Sequence, residues 1–330
     1  MPKISVIGAG YWGPNIIRNF YELGCLAAVC DKDEKRLSMI KNKFSGVVTT
    51  KDSDEAIAIA DGVVIATHVA SHYELAKKAL NAGKDVFVEK PFTLKTTDAE
   101  ELVELAKKKN CIIMVGHILL YQPEVRKLKE YVDTNELGKI YYIYTQRLNL
   151  GKVRQTEDVL WSLGPHDISI VLYLLNKTPN KVVAFAGTYL QPGIPDVVFL
   201  NLYFADNTIA HIHLSWLDPS KNRTITVIGD KKMATFNDAE ANDRIKLYDK
   251  GINYESSTKS FSEAFPIRVG TTTIPNVPSK ECLKAECEHF ISCIQNRTTP
   301  ITDGINGLNV VKILESAQKS LELGGAPVSL

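Results

Sequence analysis

Three glycines close to the start of the chain are spaced in a way that suits a bound phosphate. They form the stretch Gly8-Ala-Gly10-Tyr-Trp-Gly13, which follows an apolar segment and precedes residues with helical apolar spacing. The first glycine permits a tight turn, the second lets a pyrophosphate approach backbone N–H groups, and the third lets helix pack closely on strand. The pattern predicts a dinucleotide site, in which we place Gly8, Gly10, Tyr11, Trp12 and Gly13.

An aspartate indicates which dinucleotide binds. Asp31 ends a second apolar segment at the distance from the glycines where a carboxylate can hold ribose hydroxyls. A carboxylate there repels a 2′-phosphate, so NAD is favoured. Lys32, Lys35 and Arg36 follow at once, and cations near the ribose could hold such a phosphate. NADP therefore stays an alternative.

Polar side chains follow three further apolar segments of the first third. Thr67 and His68 come after one, Glu89 and Lys90 after the next, and His117 after the last. Because the carboxyl ends of parallel strands meet at the same edge of a sheet, we expect these side chains to face one cleft.

Such a cleft could oxidise a secondary alcohol. That reaction needs a hydride acceptor, a group that takes the hydroxyl proton, and support for the developing alkoxide. Lys90 could hydrogen-bond the alcohol oxygen beside a nicotinamide, and Glu89 could orient Lys90 or the nicotinamide ribose. His72, in the first turn of a predicted helix, could reach the nicotinamide end of the cleft; a solvated helix residue is the alternative. Trp12 either packs or covers the pyrophosphate.

These residues require strands that alternate with helices. Apolar spacing predicts strands over 3–8, 25–30, 62–67, 85–88 and 111–116 and helices over 34–44, 71–81 and 98–109. This alternation indicates an α/β fold with a doubly wound parallel sheet of the Rossmann type. We assign it to an NAD(P)-binding domain over residues 1–120.

The pattern changes after residue 120. Closely spaced strand-like runs are predicted at 139–148, 181–190, 197–204, 208–216, 224–229 and 232–236, and helices at 123–136, 164–175, 279–296 and 304–323. We expect a C-terminal α+β domain over 121–330 with a large, mainly antiparallel open sheet. Residues 251–278, rich in Ser, Thr and Pro, are predicted to form a long loop or insertion.

Composition excludes several classes of partner. The 39 Lys and Arg residues balance 38 Asp and Glu, which argues against nucleic acid or an anionic membrane as a partner. No apolar stretch is long enough to span a bilayer, and six scattered cysteines indicate a reducing cytoplasm. Cys282, Cys287, His289 and Cys293 are the only metal-like cluster, but they lack the tight Cys pairs of a structural zinc site. We predict no metal.

Together these motifs resemble the glucose–fructose oxidoreductase and inositol dehydrogenase (Gfo/Idh/MocA) family. The glycine motif, Glu89-Lys90-Pro91, Gly116-His117 and Gly164-Pro-His-Asp-Ile168 occur here in the order and spacing of that family. The resemblance implies a Rossmann domain followed by a domain with a large open sheet. It also implies hydride transfer between NAD(P) and a sugar, cyclitol or related alcohol, and a homodimer or homotetramer built through the C-terminal sheet.

The resemblance assigns the catalytic roles to Lys90 and His166. A neutral imidazole suits the proton acceptor, because it titrates near the working pH. The family commonly places an aspartate four residues before this histidine, where this chain has Ser162. Asp158 or Asp167 could orient His166 instead, or neither does. A dinucleotide-binding regulatory protein without turnover is therefore an alternative function.

The stretches 11–20, 215–219 and 286–290 look most like the branch of the family that acts on nucleotide sugars. That likeness implies oxidation of the C3 hydroxyl of a substrate such as UDP-N-acetylglucosamine; a free-sugar or inositol dehydrogenase is the alternative enzyme. A diphosphate needs cations and a uracil needs a flat partner. The candidate substrate residues are His117, Tyr121, Tyr142, Arg147, Lys152, Arg154, Asp167 and Arg223.

Overall fold

The computed structural model describes residues 1–252 and 265–330, and these form two compact units. The first unit comprises Met1–Tyr121 and Lys280–Lys312, and the second comprises Gln122–Ser279 and Ile313–Leu330. The segment 280–312 thus packs with the N-terminal residues, although in sequence it lies between the two parts of the second unit. The assignment of cofactor and substrate binding to 1–120 and 121–330 stays a prediction.

In the described part of the first unit, six parallel strands form a sheet in the order β3-β2-β1-β4-β5-β6. The elements are β1 Ile4–Ile7, α1 Gly13–Glu22, β2 Leu26–Cys30, α2 Glu34–Lys43, β3 Val48–Thr50, α3 Ser53–Ile59, β4 Gly62–Ile65, α4 His72–Asn81, β5 Asp85–Glu89, α5 Thr96–Lys109 and β6 Ile113–Gly116. The predicted doubly wound parallel sheet is confirmed. Its strand order reverses between β1 and β4, which is where such sheets bind ligands.

Helices cover both faces of this sheet, which explains why its strands read as short apolar runs without alternation. One core cluster joins Ile16 and Phe20 of α1 to Val6, Phe87 and Met114 of the strands. The other cluster joins the opposite side chains of the strands to α3, α4 and α5. The sequence interpretation omitted β3 and α3, which are only 3 and 7 residues long.

A second sheet has nine strands within residues 1–252 and 265–330, in the order β14-β13-β12-β11-β7-β10-β9-β8-β15. The elements that complete the chain are α6 Pro123–Asp133, β7 Ile140–Leu148, α7 Val159–Leu175, β8 Lys181–Gly187, β9 Val197–Tyr203, β10 Ile209–Ser215, β11 Asn222–Gly229, β12 Met233–Asn237, β13 Ile245–Ile252, β14 Ile267–Thr273, α8 Cys282–Asn296, α9 Gly304–Glu322 and β15 Val328–Ser329. Apart from the parallel pair β7 and β10, neighbouring strands are antiparallel, so the predicted mainly antiparallel sheet is confirmed.

Two predicted elements of the second unit differ from the structure. Helix α7 begins at Val159 rather than Gly164, because Asp158 caps it by accepting the Trp161 N–H at 2.9 Å, so Pro165 lies inside the helix. The predicted loop over 251–278 was wrong for 251–252, which end β13, and for 267–273, which pair with β13 as an edge strand. Residues 253–264 of that prediction lie outside the described residues.

Candidate active site

The loop between β1 and α1 is shaped by close backbone contacts. Gly8 has φ 105°, and a Cβ there would lie 2.5 Å from the carbonyl oxygen of Ala66. A Cβ on Gly13 would lie 2.2 Å from the carbonyl oxygen of Gly8. Neither position can carry a side chain, because real Cβ contacts of that length do not occur. The first and third glycines therefore have the turn and packing roles that the sequence predicts.

Gly10 differs from the other two glycines. Among the described residues, the closest atom to a Cβ built there is Arg36 Nη1 at 3.6 Å. Protein packing therefore does not require glycine at this position, and the loop leaves room above its backbone at the start of α1. A pyrophosphate bound here would approach backbone N–H groups closely at a helix N-terminus, and glycine permits that approach.

Asp31, which follows β2, connects the end of that strand to the glycine loop through hydrogen bonds. Its carboxylate accepts the Ala9 N–H at 2.7 Å and the Asp33 N–H at 2.9 Å. Arg36 Nη1 lies 3.5 Å from the same carboxylate, so the cation is held between Asp31 and Gly10. The sequence predicted a carboxylate for the ribose hydroxyls; the structure adds that this carboxylate also fixes the shape of the phosphate loop.

Trp12 and Glu89 are joined directly, which the sequence interpretation did not anticipate. The Trp12 indole N–H donates to Glu89 Oε1 at 2.7 Å, while its ring stays 36% exposed at the start of α1. Tyr11, before it, is 88% exposed. Gly116 at the end of β6 has no side chain because Glu89 lies against it: a Cβ there would be 2.9 Å from Glu89 Oε2. The glycine loop and the ends of β5 and β6 thus meet.

The Glu89 carboxyl group lies in a poorly solvated position next to Lys90. Burial raises the pKa of Glu89 to about 7, although the Trp12 indole and the Lys90 charge and backbone N–H favour the ionised form. The Lys90 backbone N–H donates to Glu89 Oε2 at 3.2 Å. A carboxyl whose pKa is near neutrality beside a lysine is the kind of arrangement found at sites of proton chemistry.

His72 lies in the protein interior, where it connects the loops after β4 and β5. Its ring is 1% exposed, with Nδ1 2.9 Å from the carbonyl oxygen of Pro91 and Nε2 3.2 Å from that of Thr67. Burial lowers the pKa of this imidazole. The structure therefore places His72 behind the loop that carries Lys90, whereas His68 is exposed and begins the short turn Val69–Ser71.

His117 is buried after β6 with one ring nitrogen fixed. Its Nδ1 lies 2.7 Å from Asn306 Oδ1, on the first turn of α9. Burial lowers the pKa of His117 to about 4; the bond to Asn306 opposes this effect and the Lys90 charge adds to it. His117 is therefore neutral near pH 7, and a proton acceptor that titrates near neutrality must be sought elsewhere.

His166 lies on α7 in the second unit and is half-buried. Ser162, one turn before it, is 6% exposed. The two carboxylates that could replace the missing aspartate each have a defined partner. Asp158 caps the helix, and Asp167 forms an ion pair with Arg147 through its Nε and, at 3.4 Å, through Nη2.

The Arg147–Asp167 pair is buried, with side chains 11% and 1% exposed. It ties β7 to α7 and so fixes the helix that carries His166. Arg154 lies 4.0 Å from Glu157, and Arg223 lies 3.4 Å from Asp238; both arginines keep about two fifths of their side chains exposed. Among the cations predicted to bind the substrate diphosphate, Arg147 thus has a structural role in a buried ion pair.

The two predicted aromatic partners lie in different environments. Tyr121 is 1% exposed, with its hydroxyl 3.2 Å from Thr302 Oγ1 and its ring centroid 5.5 Å from that of His289. Its ring therefore has no exposed face on which a base could stack in this structure. Tyr142 on β7 is 44% exposed and stacks on Tyr144 with a centroid distance of 6.4 Å.

The helix α8 cluster of cysteine and histidine is packed rather than arranged around a metal. His289 Nε2 accepts the Ile301 N–H at 3.1 Å and lies 3.5 Å from Cys293 Sγ. Across the described ranges 1–252 and 265–330, no group of three or more His, Cys, Asp or Glu residues is placed to hold a metal ion. The same residues contain no helix that is both long and apolar enough to cross a membrane.

Sequence reasoning missed two groups beside the site: Asn306 as the partner of His117, and Glu286. Glu286 is 0% exposed on α8, and burial followed by the charge of Glu89 raises its pKa well above the usual range. One signal could have found it, since Glu286 stands in the apolar stripe with Leu283 and Phe290. A carboxyl in such a stripe is unusual.

Comparison with known families agrees with this architecture. Residues 3–117 match the model described as oxidoreductase family, NAD-binding Rossmann fold, and residues 125–235 match the GFO/IDH/MocA C-terminal domain. The chain belongs to this family. It is accordingly an enzyme, an NAD(P)-dependent oxidoreductase, and the resemblance inferred from the motifs is confirmed.

Individual relatives extend the comparison. UDP-N-acetylglucosamine 3-dehydrogenase of Acidithiobacillus ferrooxidans is 23% identical over 320 residues, covering 94% of each chain. A solved structure of that enzyme superposes with a TM-score of 0.84 at 22% identity and 98% coverage of each chain. Myo-inositol 2-dehydrogenase of Thermotoga maritima is 27% identical over 191 residues, which is 55% of this chain and 57% of that one.

A further solved structure carries the cofactor. GenD2 from gentamicin A biosynthesis, in complex with NAD, superposes with a TM-score of 0.81 at 21% identity over 99% of this chain and 96% of that one. At this identity the likeness shows a shared fold.

Proposed function

We propose that this protein is an NAD-dependent dehydrogenase that oxidises a secondary hydroxyl, the C3 hydroxyl, of a nucleotide sugar such as UDP-N-acetylglucosamine. The observation that carries the proposal is the extent of one match. The Acidithiobacillus enzyme of that name aligns over 94% of both chains, and so includes the second unit. Two inositol dehydrogenases align over less of this chain: 55% for the myo-inositol enzyme and 82% for a scyllo-inositol 2-dehydrogenase.

The first unit supplies the cofactor site and one catalytic group. In the proposal, Gly8, Gly10 and Gly13 shape the loop that holds the pyrophosphate, and Asp31 holds the ribose. The bound nicotinamide would supply the hydride acceptor. Lys90, at the end of β5, hydrogen-bonds the alcohol oxygen and stabilises the negative charge that develops there.

The second unit supplies the proton acceptor in this proposal. His166 takes the hydroxyl proton as the hydride leaves the carbon, so the product is a ketone and both electrons leave with the hydride. Asp167 acts through Arg147, because their buried ion pair fixes α7 against β7. Lys152, Arg154 and Arg223 remain candidates for the diphosphate, and Tyr142 for the uracil, since all four are accessible.

Asp31 supports NAD over NADP. Its carboxylate would face a 2′-phosphate with negative charge, and the nearest arginine, Arg36, is already paired with it at 3.5 Å. Arg36 was one of the cations that could have held the 2′-phosphate of NADP. Its ion pair with Asp31 reduces the charge that it could offer to such a phosphate.

The test is a substrate screen with cofactor reduction as the readout. Purified protein is incubated with NAD or NADP and UDP-N-acetylglucosamine, its uronate, free glucose or myo-inositol, and absorbance of the reduced nicotinamide is followed. We expect reduction with the UDP-sugars and NAD. No turnover with any UDP-sugar would refute the substrate assignment. Turnover of myo-inositol or glucose alone would favour a free-sugar or inositol dehydrogenase, which the 27% identical relative supports.

We also propose a cytoplasmic homodimer or homotetramer that contacts neither nucleic acid nor membrane. Phe185 and Phe199 lie opposite each other on β8 and β9 and are 52% and 40% exposed, while their neighbours Ala184 and Leu200 are fully buried. His213 stacks on Phe199 with a centroid distance of 4.4 Å. These aromatic side chains on one sheet face support contact with a second copy through that face.

A further inference from the structure

The carboxyl group of Glu286 is costly for the fold. It is 0% exposed on α8, and in the described part of the chain neither Oε1 nor Oε2 has a hydrogen-bond partner. A buried ionised carboxylate without a partner is far more unfavourable than a neutral acid. The glycine loop, Lys90 and His166 do not require this group, so its presence calls for a separate explanation.

Contacts along α8 place Glu286 against Glu89. Arg297, which ends α8, pairs with Asp85 at the start of β5 at 2.6 Å, and the rings of Phe290 and Phe87 meet at 5.6 Å. The helix therefore runs antiparallel to the strand. Moving four residues back from Phe290 advances about 6 Å along the helix, and moving two residues on from Phe87 advances about 6.6 Å along the strand.

After four residues along α8 and two residues along β5, the side chains point to the same faces as those of Phe290 and Phe87. Residues four apart share a helix face, and residues two apart share a strand face. Glu286 therefore lies opposite Glu89, behind the carboxyl that holds Trp12 and precedes Lys90. The influence of the Glu89 charge on Glu286 agrees with this placement.

Within residues 1–252 and 265–330, no cation is paired with Glu286. Burial raises the pKa values of Cys25 and Cys287 and lowers that of His117, so these three groups are neutral near pH 7. Tyr121 ends the short helix Ile118–Tyr121, which packs on α8, and its hydroxyl bonds to Thr302. Arg18 on α1 pairs with Glu281. Lys90 is next to Glu89 in sequence. Two adjacent carboxyls cannot both ionise here without a second cation.

We propose that Glu286 is a positioning residue of the active site: it remains a neutral carboxylic acid behind Glu89 and leaves Glu89 as the single carboxylate beside Trp12 and Lys90. Such a pair titrates as a unit, with one carboxyl that ionises first and another that keeps its proton. Glu286 then acts on the reaction through Glu89. Its catalytic consequence rests on the function proposed above, whereas its protonation state does not.

The first experiment measures stability against pH. The folded protein keeps a proton on Glu286 that the unfolded chain loses above about pH 4.3, so rising pH favours the unfolded chain. Between about pH 5 and pH 7, the ratio of the wild-type folding constant to that of Glu286→Gln should fall about tenfold per pH unit. The constants come from urea unfolding. A ratio that does not change with pH would overturn the proposal.

The matched control is Glu288→Gln, the same change two residues along α8. Glu288 is partly exposed and pairs with Lys280 at 2.9 Å. Its ratio to wild type should stay nearly constant over the same pH range. If Glu286→Gln does not fold, infrared spectra of the wild-type protein decide the question. They should contain the carbonyl band of a protonated carboxylic acid at pH 8, where most of Glu89, whose pKa is about 7, is ionised. Absence of the band at that pH would contradict the neutral acid.

The second experiment tests positioning through the pH profile of turnover. Glu286→Leu removes the polar neighbour of Glu89. It should move the part of the acid limb that follows Glu89, as distinct from the part that follows His166, to higher pH by about one unit, because an apolar neighbour disfavours the carboxylate. Glu286→Gln, which is neutral and polar, should keep the wild-type profile. Equal shifts in both variants, or none in either, would refute the positioning role. If no alcohol is oxidised, the stability and infrared experiments still test whether Glu286 keeps its proton beside Glu89.

Discussion

The two sheets of this protein present different parts of their strands to solvent. The parallel sheet is covered by helices on both faces, so polar side chains such as Glu89 and His117 can leave it only at the strand ends. The nine-stranded sheet keeps one face accessible, and residues such as Phe199 and His213 alternate along it with buried ones. Chemistry in the first sheet is therefore concentrated at an edge, whereas the second offers a surface.

The pKa values of titratable groups differ between the covered strand ends of the first sheet and the open face of the second. At the strand ends of the first unit, burial raises the pKa of Glu89 to about 7 and lowers that of His117 to about 4. On the open face, burial lowers the pKa values of His211 and His213, which remain partly accessible. Where polar groups lie together at covered strand ends, the fold can shift their pKa values, because protein replaces the water around them.

The largest effect should come from Lys90→Ala. Removing the ammonium that supports the alkoxide should lower turnover about 10³-fold with little change in stability, measured as initial rate with NAD and the substrate found in the screen. Lys84→Ala is the matched control, because Lys84 precedes the other end of β5 and its ammonium donates to the Ala60 carbonyl oxygen at 2.6 Å. A near-normal rate in Lys90→Ala would show that Lys90 does not stabilise the alkoxide.

A smaller effect is expected from His166→Asn in the second unit. Loss of the proton acceptor should lower turnover about 10²-fold and flatten the acid limb, because only the neutral imidazole can take the hydroxyl proton. The pH dependence of turnover distinguishes this from Lys90→Ala, which should lower the rate by a similar factor at every pH. An acid limb that His166→Asn leaves unchanged would assign the proton acceptor to another residue.

The smallest of the three effects concerns the open face. Phe199→Glu places a charge in the proposed subunit contact and should weaken association by about 2 kcal/mol or more, about 30-fold, as measured by sedimentation. Val48→Glu is the control, because Val48 is similarly exposed, at 46%, on the edge of the parallel sheet. A wild-type protein that sediments as a monomer would contradict the proposed role of this face.

Much of the first unit could be predicted because its local signals agree with its tertiary structure. The glycine loop, the buried strands and the polar residues after them follow from steric and solvation rules that act within about 20 residues. Short elements such as β3 and α3 were missed, since three and seven residues carry little periodicity. Gly164-Pro165 resembled a helix start, and only the Asp158 cap showed that α7 begins earlier.

The partners of the site residues could not be predicted in the same way. Trp12 and Glu89 are 77 residues apart, His117 and Asn306 are 189 apart, and Arg297 and Asp85 are 212 apart. Nothing in local spacing distinguishes one distant polar partner from another. The segment 280–312 adds to this difficulty, because it lies in sequence between the two parts of the second unit but packs with the first.

By itself, the sequence determined the Rossmann architecture, the dinucleotide loop and the position of Lys90 at a strand end, because glycine conformation, apolar burial and strand direction are local constraints. Only the tertiary structure decided which groups surround Lys90. It brought Trp12 onto Glu89 and α8 against β5, with Glu286 facing the same carboxyl. The physical reason is that proton affinity depends on burial and neighbouring charge, which exist only once distant segments have packed together.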